Sequence, residues 1–331
     1  MQNQHNSLNE IDFLKQDIHK LEKYLSDYAD SLDGILRETV KNTLIAGGKR
    51  IRPSLFLICA RNKNYDIDKL LPAAASIEII HTASLIHDDI IDKSILRRGR
   101  RTIHHTYDKD TAKFVGDYLF TQTFAILNGY NDSRINTAMS EAAELLVRGE
   151  FSQLRTKKDL YQSEKTYFEK IFEKTSSLFK VSCMLGGILS ESGTADIENM
   201  GRLGEYIGTS FQINDDLIDM DISESSSRIG KPVGNDLRQG DITLPFIYGF
   251  EDPGFRKKIE KLIKKNSLTD SDMQNVLEIL TKTNAIERTR SKFFEFINKA
   301  RGVISHIDGR EKREGLLKVC ESIINSSRLA K

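Results

Sequence analysis

Proline is scarce in this chain, with only five in 331 residues, well below the usual frequency of about 5%. They are Pro53, Pro72, Pro232, Pro245 and Pro253, and 159 residues separate Pro72 from Pro232. Proline breaks helix interiors, so a long span without it, rich in apolar residues spaced three and four apart, predicts long buried helices. Bounded runs of alternating apolar and polar residues are also lacking, which argues against a sheet-based fold. Cysteine is limited to Cys59, Cys183 and Cys320, odd in number, far apart and without a C-x-x-C pair. That excludes a zinc or redox motif of the usual spacing and any disulfide framework, and reads as reduced thiols in a cytoplasmic protein. No apolar stretch approaches the roughly 18 residues of a membrane span, and the amino terminus lacks the basic-then-apolar order of a signal peptide. The expectation is a protein neither membrane-spanning nor secreted by a standard signal. Charge of one sign is missing too: 49 Lys and Arg against 48 Asp and Glu leave a net charge of +1, which argues against a nucleic-acid partner.

What remains is a globular composition, 39% hydrophobic and 29% charged, which excludes wholesale disorder and allows a large core. Periodicity predicts helices over 8–29, 31–46, 52–62, 68–91, 109–129, 133–154, 164–191, 195–219, 241–250, 254–265, 270–284, 285–303 and 309–325. No Pro/Gly/Ser-rich linker interrupts them and no fixed-period repeat is evident, so a single all-α domain over residues 1–331 is expected, its first ten residues frayed.

Chemistry concentrates at two helix ends. The first reads His87-Asp88-Asp89-Ile90-Ile91-Asp92, with carboxylates at i, i+1 and i+4. Asp88 and Asp92 therefore stack one turn apart, with Ser84 and His81 further back on the same face. Gln212-Ile213-Asn214-Asp215-Asp216-Leu217-Ile218-Asp219 repeats the arrangement after another long apolar helix. Like charges one turn apart repel, so such clusters need cations, and Mg²⁺ suits carboxylates that leave room for substrate phosphates. Cationic residues occur where a merely solvated helix end would not need them: Lys49, Arg50 and Arg52 after Gly47-Gly48, Arg97-Arg98 before Gly99, Lys174-Thr175 inside an apolar helix, and Lys231 after Gly230. Together these describe a cavity for anionic phosphate groups with metal. Competing motifs fail. Gly48-Lys49 has no glycine five positions earlier for a Walker A loop, the segment from Asp219 has Glu224 where a calcium loop needs glycine, and the E-x-x-H from Glu78 to His81 has no second copy for a di-iron bundle.

The ordered set G-G-K-R-I-R-P, H-D-D-I-I-D, L-R-R-G, G-D-Y-L, G-E-F-S-Q, K-T, F-Q-I-N-D-D-L-I-D and G-K-P-V-G-N-D resembles the trans-isoprenyl diphosphate synthases, or polyprenyl synthetases. The resemblance runs from Gly47 to about Pro245, nearly two thirds of the chain. It implies an all-α bundle around a central cavity, a homodimer or a heterodimer with a small subunit, and Mg²⁺ as cofactor with three ions per active site. It further implies prenyl transfer, in which an allylic diphosphate ionises and isopentenyl diphosphate attacks the resulting cation. On this resemblance Asp88 and Asp92 bind metal from one side and Asp215 with Asp219 from the other, while Asp89 and Asp216 support them. Lys49, Arg52, His81 and Arg98 match the isopentenyl diphosphate site, and Arg97, Lys174, Thr175, Gln212 and Lys231 the allylic diphosphate site.

In that family the residues four and five before the first acidic motif can floor the elongation cavity. Here they are Ser84 and Ala83, whose small size implies a product longer than about four isoprene units, roughly six to eight. Phe120, Phe124 or Leu127 could provide a deeper floor. One departure stands out: many members carry lysine after the glycine at 240, and this chain carries Asp241, which removes an allylic-site cation. The expected activity is a medium- or long-chain synthase. The alternatives are a short-chain farnesyl or geranylgeranyl diphosphate synthase, a catalytic large subunit that needs a small partner, and a metal-binding helical bundle unrelated to prenyl transfer.

Overall fold

The structure, a computed structural model, describes residues 11–220, 234–263 and 268–326. The helices in chain order are α1 (Asp12–Asp30), α2 (Gly34–Leu44), α3 (Ile51–Cys59), α4 (Ile67–Ile91), α5 (Ile103–Thr106), α6 (Lys109–Asn128), α7 (Ser133–Thr156) and α8 (Glu164–Ile171). A π-helical segment, Phe172–Ser176, joins α8 to α9 (Ser177–Leu189), and α10 (Thr194–Asp219) follows. Then come α11 (Asn235–Gln239), α12 (Leu244–Gly249), α13 (Pro253–Ile263), α14 (Asp270–Leu280), α15 (Ala285–Ile304) and α16 (Arg310–Ser326). Two compact units emerge: Met1–Glu144 with Leu178–Gly204 and Arg301–Ser322, and Leu145–Ser177 with Glu205–Ala300 and Ile323–Lys331.

The core of the first unit is α4, which packs most extensively on α6. Small and branched residues from Ala73 through Ile86 are buried on nearly every side of α4. It is long and apolar enough to cross a membrane by composition alone, but 67% of its apolar stretch is buried inside the protein, the mark of a core helix. Pro72 lies inside α4 and has no N–H to give. Tyr130 repairs the ladder there: its hydroxyl accepts from Ala73 N at 3.0 Å and donates to Lys69 O at 2.7 Å. Cys59, Cys183 and Cys320 are buried free thiols, as the sequence leads one to expect.

In the second unit Phe246, Phe250 and Phe255 form a buried cluster with ring centroids 5.6–6.4 Å apart. Thr269 and Asp272 close a reciprocal capping box at the start of α14, satisfying two N–H groups that a helix start leaves open.

Three local features differ from the sequence reading. The helix expected over 164–191 is interrupted by the π segment, which no proline or glycine between Glu164 and Leu185 marks in the sequence. The helix expected over 241–250 is present as the shorter α12, and α11, which the sequence reading did not place, precedes it with Gly240 between them at φ +85°. Pro245 fits the first turn of a helix and not its middle, so α12 starts at Leu244. A two-residue ladder, β1 (Leu96–Arg97) and β2 (Arg100–Arg101), closes on Arg98 and Gly99, both at positive φ, 50° and 75°. That is a tight hairpin of the primed type, carried by the X-Gly pair.

Candidate active site

In the first unit, α4 ends on the acidic motif, with Asp92 as its C-cap. The negative end of the helix dipole makes carboxylates unfavourable there, so compensation is required. Arg97, on β1, supplies part of it: its Nε donates to Asp89 Oδ1 at 2.7 Å, and Asp89 is 6% exposed. Asp88 and Asp92 stay half-buried on the neighbouring face. The hairpin that delivers Arg97 also delivers Arg98, whose guanidinium donates to Gly47 O. A Cβ on Gly48 would come within 3.0 Å of that guanidinium, so the paired glycines let backbone and arginine meet.

Within Gly47–Arg52 the structure separates structural from candidate binding groups. Arg50 is buried, at φ 47°, and paired with Glu22 at 2.6 Å and with Glu78, so it anchors the start of α3. Lys49 is exposed. Arg52 lies over the Phe179 ring, 4.4 Å from its centroid. One of its terminal nitrogens is 3.3 Å from His81 Nε2. Arginine only donates, so Nε2 accepts and the imidazole is neutral with its proton on Nδ1. Burial, reinforced by Arg52, Arg98, Arg97 and Arg50, pushes His81 well below the usual histidine range. Burial also lowers Arg52 to about 10, with Glu78 opposing and Arg98 assisting. Arg52 Nε is buried with no hydrogen-bond partner among the described residues. A buried donor in a surplus of positive charge is suited to an anionic ligand.

Further back on α4, Ala83 is fully buried and Ser84 partly exposed, its hydroxyl bonded to His81 O at 2.8 Å. His87 stacks on Phe120 of α6 with centroids 5.8 Å apart. Phe124 is half-buried and Leu127 fully buried.

In the second unit α10 ends on the second acidic motif. Asp215 is exposed, whereas Asp216 is 1% exposed and takes donors from Tyr167 at 2.6 Å, Gln212 at 3.0 Å and Leu244 N at 3.4 Å. Burial raises Asp216 to about 7 against the lowering effect of those bonds. Gln212 accepts from Thr175 at 2.9 Å, which ties the two residues expected at one subsite into one chain of bonds ending on Asp216. Asp219 does more than the sequence reading foresaw: its two oxygens accept from Asn235 N at 3.1 Å and Asp236 N at 3.2 Å, anchoring the start of α11.

Lys174 sits on the π segment, a form of helix often found at functional sites. A Cβ on Gly149 would lie 2.6 Å from Lys174 N, so glycine in α7 lets the two backbones touch. Glu150 and Gln153 then reach Lys174, Glu150 at 2.7 Å and Gln153 through its side-chain oxygen. Lys231 lies outside the described residues.

Groups that the sequence reading gave no role also belong here. Asp236 is pushed well above the usual carboxylate range by burial and by Asp219, Asp216, Asp215 and Asp241. Lys170 is 8% exposed, and burial lowers it while Asp241 and Asp216 support its charge. Asp236 was visible only inside the G-K-P-V-G-N-D motif, and Lys170 carried no signal.

Each acidic helix end, taken by itself, offers carboxylate oxygens, the donor chemistry that suits a hard divalent ion. Among the described residues no three His, Cys, Asp or Glu side chains converge as a ready-made cage, and Mg²⁺ held partly by substrate phosphates needs none.

Against known proteins, residues 33–280 match the model of the Polyprenyl synthetase family. The chain belongs to that family. It is 34% identical to heptaprenyl diphosphate synthase component 2 of Bacillus subtilis (strain 168), over 94% of this chain and 88% of that one. It is 31% identical to octaprenyl diphosphate synthase of Escherichia coli (strain K12), over 85% and 87%. The crystal structure of heptaprenyl diphosphate synthase from Staphylococcus aureus superposes with a TM-score of 0.86 at 32% identity, covering 95% of this chain and 98% of that one. The fold is the all-α isoprenoid synthase fold.

Proposed function

We propose that this chain is a Mg²⁺-dependent trans-polyprenyl diphosphate synthase that condenses isopentenyl diphosphate with an allylic diphosphate to give a medium- or long-chain product. The observation that carries the reading is the retention of both acidic helix ends, each with its own set of cations, in a chain of this family. Asp88, Asp92, Asp215 and Asp219 would hold the metal, three ions per active site, and Asp219 also anchors the start of α11. When bound, Mg²⁺ neutralises charge developing on the departing diphosphate.

The chain's own residues do the rest. Lys49, Arg52 and Arg98 bind the diphosphate of isopentenyl diphosphate, Arg52 with its unpartnered Nε, and neutral His81 fixes the Arg52 fork. Arg97, Lys174 and Lys231 bind the allylic diphosphate, with Thr175 and Gln212 orienting it. Asp89 and Asp216 support the acidic ends by holding Arg97 and Gln212. The apolar faces of α4 and α6 keep water from the allylic cation. Departing diphosphate accepts the proton released on product formation, so no side chain serves as base. The partly exposed Ser84, small and one turn before Asp88, leaves the elongation path open. The whole chain acts as one catalytic domain, in the cytoplasm, as a homodimer or with a small second subunit; a relative of 34% identity is named a component 2.

Incorporation of labelled isopentenyl diphosphate tests the reading. It should require both an allylic primer and Mg²⁺, and Asp88→Ala or Asp215→Ala should each lower kcat by about 10²-fold or more. Near-normal turnover in either variant, or incorporation that survives chelation, would sink the metal assignment.

A further inference from the structure

The loop from Gly240 to Ile242 is fastened by three bonds, two to the turn after α7 and one to α11. Lys158 N donates to Gly240 O at 2.7 Å, Asp241 N donates to Asp236 O at 2.8 Å, and Gln162 Nε2 donates to Ile242 O at 3.3 Å. These fix where the Asp241 side chain goes. It is 9% exposed, one carboxylate oxygen accepts from Gln153 Nε2 at 2.6 Å, and the other is buried with no hydrogen-bond partner among the described residues. Gln153 in turn accepts from Lys174 through its side-chain oxygen.

The amide of Gln153 therefore stands between an ammonium that only donates and a carboxyl oxygen that accepts from it, and one orientation alone satisfies both. A lysine at 241 would leave the amide between two ammonium groups, with its own N–H₂ unmet. Resting on the prenyl-transfer reading above, we infer that Asp241 is a positioning residue: acting through Gln153, it holds the Lys174 ammonium in place for the allylic diphosphate. The substitution of an acid for the usual lysine thus replaces a direct contact with an indirect one, and Lys170 nearby offsets the added negative charge.

A double-mutant cycle tests this. Asp241→Leu and Gln153→Leu should each raise KM for farnesyl diphosphate roughly tenfold, the worth of one charge-assisted hydrogen bond. KM for isopentenyl diphosphate and kcat should stay within about twofold, and the double variant should be no worse than Gln153→Leu alone. Asp241→Asn keeps an acceptor oxygen and should restore near-normal KM. Additive effects in the double variant, equal damage to both KM values, or an Asn variant as impaired as the Leu variant would overturn the relay. Should Asp241→Leu fail to fold, Gln153→Leu against Asp241→Asn decides: the first impaired and the second near normal supports the relay, and any other pattern overturns it. If the unmodified chain gives no product, a missing small subunit or a different function is indicated for the chain, and calorimetric titration of the same variants with farnesyl diphosphate still judges the relay by its Kd ratios.

Discussion

His81 and Arg52 illustrate how a single pair can carry both stability and binding. Burial and four arginines hold His81 neutral in the folded chain, whereas in the unfolded chain it titrates near 6.5. Below about pH 6.5 the unfolded state binds a proton that the folded state refuses, so stability present above that pH is lost as pH falls. His81→Gln removes this contribution. Unfolding free energies from urea titrations at about pH 7.5 and about pH 5 should therefore fall less in the variant than in the parent chain, and equal losses would contradict a neutral His81. Spacing alone made Asp88, Asp89 and Asp92 legible, because i, i+1 and i+4 are read off the chain. The second task of Asp219 was not, since its partners lie 16 and 17 residues on. Still less legible was the bond between Gln153 and Asp241, 88 positions apart.

Helices were recovered nearly to their ends because their apolar period is long and uninterrupted, as in α4, α6 and α10. The π segment escaped because its chemistry, Lys174 and Thr175, sits in an apolar run with no local breaker. The hairpin turn on Arg98 and Gly99, both at positive φ, carried a signal only in its X-Gly pair, which the sequence reading did not use. Pro72 within α4 would ordinarily cost helix stability, and its repair comes from Tyr130, 57 residues from Ala73 in sequence. Tyr130→Phe keeps the ring and removes both bonds, so it should destabilise the chain by about 1–3 kcal/mol, seen as a lower urea midpoint with an unchanged m-value. An unchanged midpoint would mean that water serves Ala73 N and Lys69 O equally well. Hydrogen exchange at Ala73 should quicken in the same variant.

At the scale of the molecule, the family match ends at residue 280, yet superposition with the Staphylococcus aureus enzyme covers 95% of the chain, so helices beyond that point belong to the shared fold. Product length depends on more of the molecule than any one contact does. Ala83 is fully buried, so enlarging it to Phe would overpack the core by about 1–3 kcal/mol, whereas Ser84 is partly exposed and can be enlarged with less strain. The measurement that bears most directly on the central claim is the mass spectrum of products formed by the purified chain from farnesyl diphosphate, isopentenyl diphosphate and Mg²⁺. The account predicts a ladder running past about six isoprene units, cut short by Ser84→Phe. A ladder that stops at about four units or fewer in the unmodified chain would contradict it, whereas no product at all would point to a missing small subunit or to a different function.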